Sequence, residues 1–260
     1  MHRMSSSGTP TQTVILAAGS GSRLGSAASG VPKPLITVGG VPLIAHTLRH
    51  ARQSGCLRAI IVVGHEGARV RAVAETIDAG LSIQFVESPD PNAPNGVSLL
   101  AAEPLAASQF FLQMVDHLFV DIALPRLVAS PLGAADAGRV LVDRAPRAPG
   151  MIAAIDLDDA TRVRLDGDRV TAIGKGLDPW DAIDAGCFVL TPRVFDALRR
   201  VPATEPRTVS SGMRQLVLAG SLGSADVRGT GWVDVDTPAD RDLAETLVRR
   251  VSDRQLTVNS

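Results

Sequence analysis

The 260-residue chain is poor in cysteine: Cys56 and Cys187 stand far apart, with no CxxC pair or Cys/His cluster near either. That excludes a disulfide framework and a zinc site and makes the cytoplasm the default compartment. An excess of charge of one sign is also missing, since 26 Lys and Arg face 27 Asp and Glu. A nucleic-acid surface or a polybasic membrane patch needs concentrated positive charge, so neither is expected and a small-molecule ligand is. No apolar run approaches the roughly 20 residues that span a bilayer, so no membrane insertion is expected. The first stretch, "MHRMSSSGTP", lacks the apolar middle of a signal peptide and reads as a disordered leader over residues 1–10. Internal repeats are absent too.

What is present is an alternation of strand-length apolar runs with stretches of helical period, the pattern of an α/β fold. The expectation is a Rossmann-like, mostly parallel sheet with helices on both faces, formed as a single domain over residues 11–255. Thr13–Ala18 is the first strand, the helical spacing of Leu43, Ile44, Leu48 and Ala51 follows, and "RAIIVVG" from Arg58 is the second. Further strands are expected at Ser82–Glu87, Phe110–Asp116, Ala185–Leu190 and Trp232–Val235. After Gly138 the rhythm changes: "TRVRLDGDRVTAIG" alternates on both sides of Asp166–Gly167, a hairpin signal. A small antiparallel insertion is therefore expected at about 138–190.

Thr13–Ala18 runs into Gly19, Ser20, Gly21 and Ser22 and then Arg23. Such a loop either closes backbone amides around a phosphate or is merely a tight connection. It is no Walker loop, because no Gly-Lys-Ser/Thr follows. Lys33, between Pro32 and Pro34, tilts the balance toward phosphate, since the prolines hold its charge in place at little entropic cost. Asp116 falls at a strand's carboxyl end, where open α/β sheets collect ligands. His46, His50 and His65 have no cluster around them and read as surface residues.

"LAAGSGSRLG", "PKPL" and "VGGVPLI" occur in this order between residues 16 and 44, followed by "NGVSLL", "MVDH", "AIGKGL", "IDAGCFVL" and "GWVDVDTPAD". Together these blocks resemble the nucleotidyltransferases of the MobA-like and sugar-phosphate NTP transferase superfamily. They are most similar to the cytidylyltransferases acting on inositol-1-phosphate. The resemblance implies Mg²⁺-dependent transfer of a cytidylyl group from CTP to inositol-1-phosphate or a similar polyol or sugar phosphate, with release of pyrophosphate. Alternatives are a guanylyl- or uridylyltransferase for a sugar-1-phosphate, a cytidylyltransferase for phosphocholine or a phosphonate, and a non-catalytic nucleotide-sensing domain.

The resemblance also assigns residues. Leu16, Ala17, Ala18, Gly19, Ser20, Gly21, Ser22, Arg23 and Lys33 would line the nucleotide phosphates, and Asn95, Gly96 and Ser98 would read the base. Asp116 would bind the metal together with Asp234 or Asp236, which alternation places on one face without separating them. Arg23, Lys33, Asp116 and Lys175 would carry the chemistry, and His117, Lys175 and Asp184 the acceptor. Thr237 before Pro238 reads as a helix cap. Two departures stand out: Val115 replaces the glycine usual before the metal aspartate, and Ala185 replaces a threonine on the acceptor side. The protein partners the resemblance admits are a second copy of the chain and a separate CDP-alcohol transferase acting downstream.

Overall fold

A computed structural model describes residues 9–19, 30–144 and 156–258, the last eight of them as backbone only. The elements in chain order begin with β1 (Gln12–Ala17), β2 (Thr37–Val38), β3 (Val41–Pro42), α1 (Leu43–Gln53), β4 (Arg58–Val63), α2 (Gly67–Glu75) and β5 (Ser82–Glu87). They continue with α3 (Asn95–Ala101), β6 (Phe110–Met114), β7 (His117–Phe119), β8 (Gly138–Asp143), β9 (Arg162–Asp166), β10 (Arg169–Gly174) and β11 (Ala182–Leu190). The remainder are α4 (Arg193–Arg199), α5 (Val209–Leu218), β12 (Leu222–Asp226), β13 (Trp232–Asp234) and α6 (Pro238–Val258).

Nine strands form the main sheet in the order β5-β4-β1-β6-β11-β8-β12-β10-β9. The α/β class expected from the sequence holds, with helices on both faces. Alternation along β1 shows why: Val14 and Leu16 pack with Leu99 of α3, Phe195 of α4 and Met213 of α5, whereas Ile15 and Ala17 pack with Ile44 and Leu48 of α1 and Val70 of α2. Each such aliphatic side chain taken fully out of water contributes about 1.5–3 kcal/mol.

The sheet is mixed rather than parallel throughout. β5, β4, β1 and β6 run parallel, but β11 runs against both β6 and β8. The Asp166–Gly167 turn closes the β9–β10 hairpin as the sequence predicts. That hairpin lies within the main sheet, because β9 also pairs with the start of β11 and β10 with β12. The pairings β11–β8–β12–β10–β9–β11 therefore close into a ring. β8 and β12 carry no strand signal of their own in the sequence reading; "LGSAD" in β12 is built from residues that are poor in strands.

Two short ribbons complete the fold. β2 and β3 form a hairpin around Gly39 and Gly40, both at positive φ. β13 pairs antiparallel with β7 outside the main sheet, placing Asp234 opposite His117 and Trp232 opposite Phe119. Thr237 caps α6 as expected: its hydroxyl accepts from the Asp240 amide, and the Asp240 carboxylate returns to the Thr237 amide at 2.7 Å. Between residues 9 and 258, among those described, no helix is long and apolar enough to cross a membrane.

Candidate active site

β6 ends at Met114, and the chain turns at Val115–Asp116 before entering β7. Because β11 runs against β6 with Cys187 opposite Gln113, its earlier residues Asp184 and Gly186 extend past the carboxyl end of β6. The β7–β13 ribbon brings Asp234 to the same place, and the Val235 amide bonds the Asp116 carbonyl at 2.9 Å. The result is a cleft of about 170 Å³ whose wall includes Asn95, Asp116, His117, Lys175, Asp184, Asp234 and Asp236. Residues more than a hundred positions apart thus meet through strand pairing alone.

Lys33 sits in a 3-10 turn, Lys33–Leu35, held between its two prolines and only 7% exposed. Its ammonium donates to Asp116 Oδ2 at 2.5 Å and to Asp236 Oδ1. Burial alone would discharge this lysine, but the pull of Asp116, Asp234 and Asp236 outweighs it and holds the pKa well above the ordinary value. Burial likewise disfavours the charge of Asp116; Lys33 beside it and the His117 hydrogen bond keep the carboxyl well below the usual range. The nearest partners of Lys33 are therefore carboxylates.

His117 Nδ1 donates to Asp116 Oδ1 at 3.0 Å and lies 3.8 Å from Asp234 Oδ1. Burial works against its proton, but Asp234, Asp116 and Asp184 raise its pKa to about 9, so it is an imidazolium at neutral pH. Its ring stacks on Trp232 at 5.6 Å, and Trp232 Nε1 donates to the buried Asp143 at 3.0 Å. Beneath it lies Gly186, at φ +70° in an irregular stretch of β11. A Cβ there would stand 2.3 Å from His117 Cδ2, so only glycine fits.

Asp184 and Asp234 are pushed the other way. Burial raises Asp184 to about 6, against the Gly186 amide that bonds its Oδ1 at 2.8 Å. Burial raises Asp234 to about 6 as well, with His117 opposing and Asp116 adding repulsion. Asp234 Oδ1 is buried and makes no hydrogen bond among the described residues.

A ligand atom from each of Asp116, His117 and Asp234 lies within 4.8 Å of the other two. An orphaned buried carboxylate oxygen beside a second carboxylate suits a hard, oxygen-seeking divalent cation. His117 Nδ1, hydrogen-bonded to Asp116 Oδ1, orients that carboxylate. The structure also separates the two aspartates that alternation leaves equivalent: Asp234 faces Asp116 and His117, and Asp236 faces Lys33.

Other expected site residues are placed differently. Leu16 and Ala17 direct their side chains into the core and offer the cleft only backbone, and Ala18 is buried against Gly64. Gly19 is exposed at the end of β1; Ser20, Gly21, Ser22 and Arg23 lie outside the described residues. Asn95 lines the cleft, but its Oδ1 also accepts from the Val209 amide at 2.8 Å, tying α3 to the start of α5. Two of the residues assigned to the base have packing partners of their own. Ser98 is buried with its hydroxyl on Ser88, 3.0 Å away. Gly96 owes its identity to packing, because a Cβ there would lie 2.4 Å from the Arg207 carbonyl. Lys175 is half exposed at the cleft mouth and paired with Asp159, a partner the sequence reading did not single out. Val115 and Ala185 turn their side chains into apolar clusters, so neither departure intrudes on the cleft.

His50 is no surface residue: it is 6% exposed. Its Nδ1 donates to Gln113 Oε1 at 2.8 Å, and its Nε2 accepts from the Ala123 amide at 3.0 Å. Gln113 passes the chain on to Thr13 at 2.9 Å.

Comparison with known proteins gives one family. Residues 13–175 match the MobA-like NTP transferase domain. The chain is 36% identical over 239 residues to a bifunctional IPC transferase and DIPP synthase of Rubrobacter xylanophilus, covering 90% of this chain and 51% of that protein. It is 32% identical to a CMP-5'-(3-aminopropyl)phosphonate synthase of Streptomyces rubellomurinus, over 91% of this chain and 38% of that one. The chain thus spans about half the length, or less, of these curated relatives. The inositol-1-phosphate CTP transferase from T. maritima superposes with a TM-score of 0.78 at 25% identity, covering 92% of this chain and 97% of that one.

Proposed function

The chain belongs to the MobA-like NTP transferase family, and on that premise we propose that it transfers a cytidylyl group from CTP to inositol-1-phosphate or a similar cyclic polyol phosphate, in the presence of Mg²⁺. The observation that carries this reading is the meeting of Asp116 with Asp234, whose buried Oδ1 makes no hydrogen bond among the described residues, in the cleft. The similarity to the CTP transferase of T. maritima and to the IPC transferases supports the choice of nucleotide and acceptor.

In the reaction an oxygen of the acceptor phosphate bonds to the α-phosphorus of CTP, and the bond from that phosphorus to the β-bridging oxygen breaks. Pyrophosphate leaves with the electron pair, and the product is a CDP-alcohol. No general base is required, because the attacking phosphate is already ionised at neutral pH. The barrier is the approach of two anions, so the protein's task is positioning and charge. Asp116 and Asp234 are the residues that would hold a divalent cation, which when bound would supply Lewis-acid polarisation to the phosphate chemistry.

Lys33 fixes Asp116 and Asp236 relative to one another, and its charge keeps the acidic cleft from repelling a triphosphate outright. His117 adds a second positive charge and orients Asp116. Asp184, with one oxygen tied to the Gly186 amide, has the other to accept from a hydroxyl of a polyol. Lys175 exchanges Asp159 for the acceptor phosphate at the mouth. Arg23, in the glycine-rich loop, would neutralise the departing pyrophosphate.

A pyrophosphate-release assay of the four nucleoside triphosphates against phosphorylated polyols, sugars, phosphocholine and phosphonates, with and without Mg²⁺, tests the reading. CTP with inositol-1-phosphate is the expected pair, silent in EDTA. Turnover with a different pair alone removes the substrate assignment, and absence of any turnover removes the enzyme.

A further inference from the structure

On another part of the ring lies a second cavity, larger than the first at about 650 Å³. Arg126 reaches it from the 3-10 turn Leu124–Val128, Arg139 from β8, Arg144 from just beyond β8 and Arg228 from just beyond β12. Asp168 and Asp226 also line it, leaving cations in excess. The reaction proposed above uses none of these residues.

The cations are poorly neutralised. Arg139 spends its guanidinium on three neutral carbonyls, those of Leu127, Ser130 and Pro131. Arg126 Nε is buried without a hydrogen-bond partner. The Arg228 side chain makes no hydrogen bond or ion pair among the described residues, and its backbone is held at φ +47° by an Asx turn from Asp226. Among the described residues Arg144 lies 3.3 Å from the Asp168 carboxylate, which is almost wholly exposed, and Arg139 feels the charge of Asp136 from further off. Four guanidinium groups spread around one cavity with this little compensation make it a favourable place for an anion.

We propose that this cavity binds a small polyanion carrying at least two phosphate groups. Arginine forks match phosphate oxygens in pairs, and a single phosphate cannot engage guanidinium groups spread over a cavity of this size. Among the described residues no aromatic ring lines the wall, so recognition is of the phosphates and not of a stacked base. The ligand is therefore of the pyrophosphate or polyphosphate class, free or carried by a larger molecule. The site is separate from the acidic cleft, whose carboxylates need a divalent cation before they accept such a ligand.

Inorganic pyrophosphate is the probe, measured by calorimetry on the full chain at low salt with EDTA present. The unmodified protein is expected to bind it. Arg126→Gln with Arg228→Gln should weaken binding at least tenfold while the melting temperature stays unchanged. Arg126→Lys with Arg228→Lys, which keeps the charge but loses the fork, should weaken binding by less than the glutamine pair does. Asp116→Ala should leave binding as it is. Absence of binding at millimolar pyrophosphate, a loss of less than tenfold in the glutamine variant, or loss of binding in Asp116→Ala each overturns the proposal. If the glutamine pair unfolds, Arg228→Gln alone, at an exposed side chain, decides: binding weaker than in the unmodified protein supports the cavity, and unchanged binding overturns it.

Discussion

The two cavities of this molecule present opposite faces to the same chemistry. The cleft beyond β6 gathers Asp116, Asp184, Asp234 and Asp236 around two buried cations, Lys33 and His117. The cavity beside β8 and β12 gathers four arginines with little to oppose them. Arginines with no activating metal among them hold a phosphate through fixed charge and paired donors. A cluster of carboxylates recruits a hard divalent cation that can polarise a bond as well as bind. The difference separates a place built for reaction from a place built for retention.

Removing Asp116 should break the first half of this contrast outright. Asp116→Ala is expected to lower turnover by at least about 10²–10³, read as pyrophosphate release. Retained turnover would show that the carboxylates only tether Lys33. A more selective pair sharpens the roles of the two late aspartates. Asp234→Asn should raise the Mg²⁺ needed for half-maximal rate by about 10–100-fold. Asp236→Asn should leave that requirement unchanged and lower stability by about 2 kcal/mol, the worth of one charged hydrogen bond to Lys33. Denaturant unfolding and metal titration of both variants check the distinction.

Gly186→Ala is expected to cost about 1–2 kcal/mol for the left-handed backbone. It should also lower the rate, because the added methyl displaces the His117 ring; a crystal structure would show the rotated imidazole.

The smallest effect concerns the histidine at the apolar end of the aromatic row His117, Trp232, Phe119, His50. Burial lowers His50 to about 4, against an ordinary value near 6.5, so between these values the unfolded chain binds the proton and the folded one does not. Stability is therefore complete above about pH 6.5 and falls as pH drops toward about 4, by at most about 3 kcal/mol. His117, raised to about 9 among carboxylates, works in the other direction, its contribution being lost as pH rises through that value. Unfolding curves at pH 7 and 5, with and without His50→Gln, test the acid limb, which the variant should flatten.

What was legible in the sequence was local. The Asp-Gly turn of β9–β10 and the Thr237–Asp240 cap of α6 depend on neighbours within a few positions, and both form as read. The positions of β1, β4 and β6 follow from continuous apolar runs. What was hidden depended on pairing across the chain. Nothing near Lys33 reveals that its partners lie 83 and 203 residues away. Ser98 and Gly96 match a motif, but α3 turns one into the core and presses the other on Arg207, a consequence of helix packing that a motif does not encode. His50 looked solvated for want of a polar neighbour in sequence, whereas Gln113 and Ala123 supply its partners from β6 and the loop beyond β7. Asp234 and Asp236 were equivalent by period and distinct only by register with β7.

The closure of β11, β8, β12, β10 and β9 into a ring has a consequence for how copies of this chain can meet. A ring has no lateral border, so among the described strands the long sheet keeps one open flank, the outer side of β5. That flank is guarded: Arg71 lies over the Phe85 ring and reaches Glu87, setting charge and bulk where a foreign strand would dock. Addition of a foreign strand to the long sheet is thereby confined to one short border that the protein already defends.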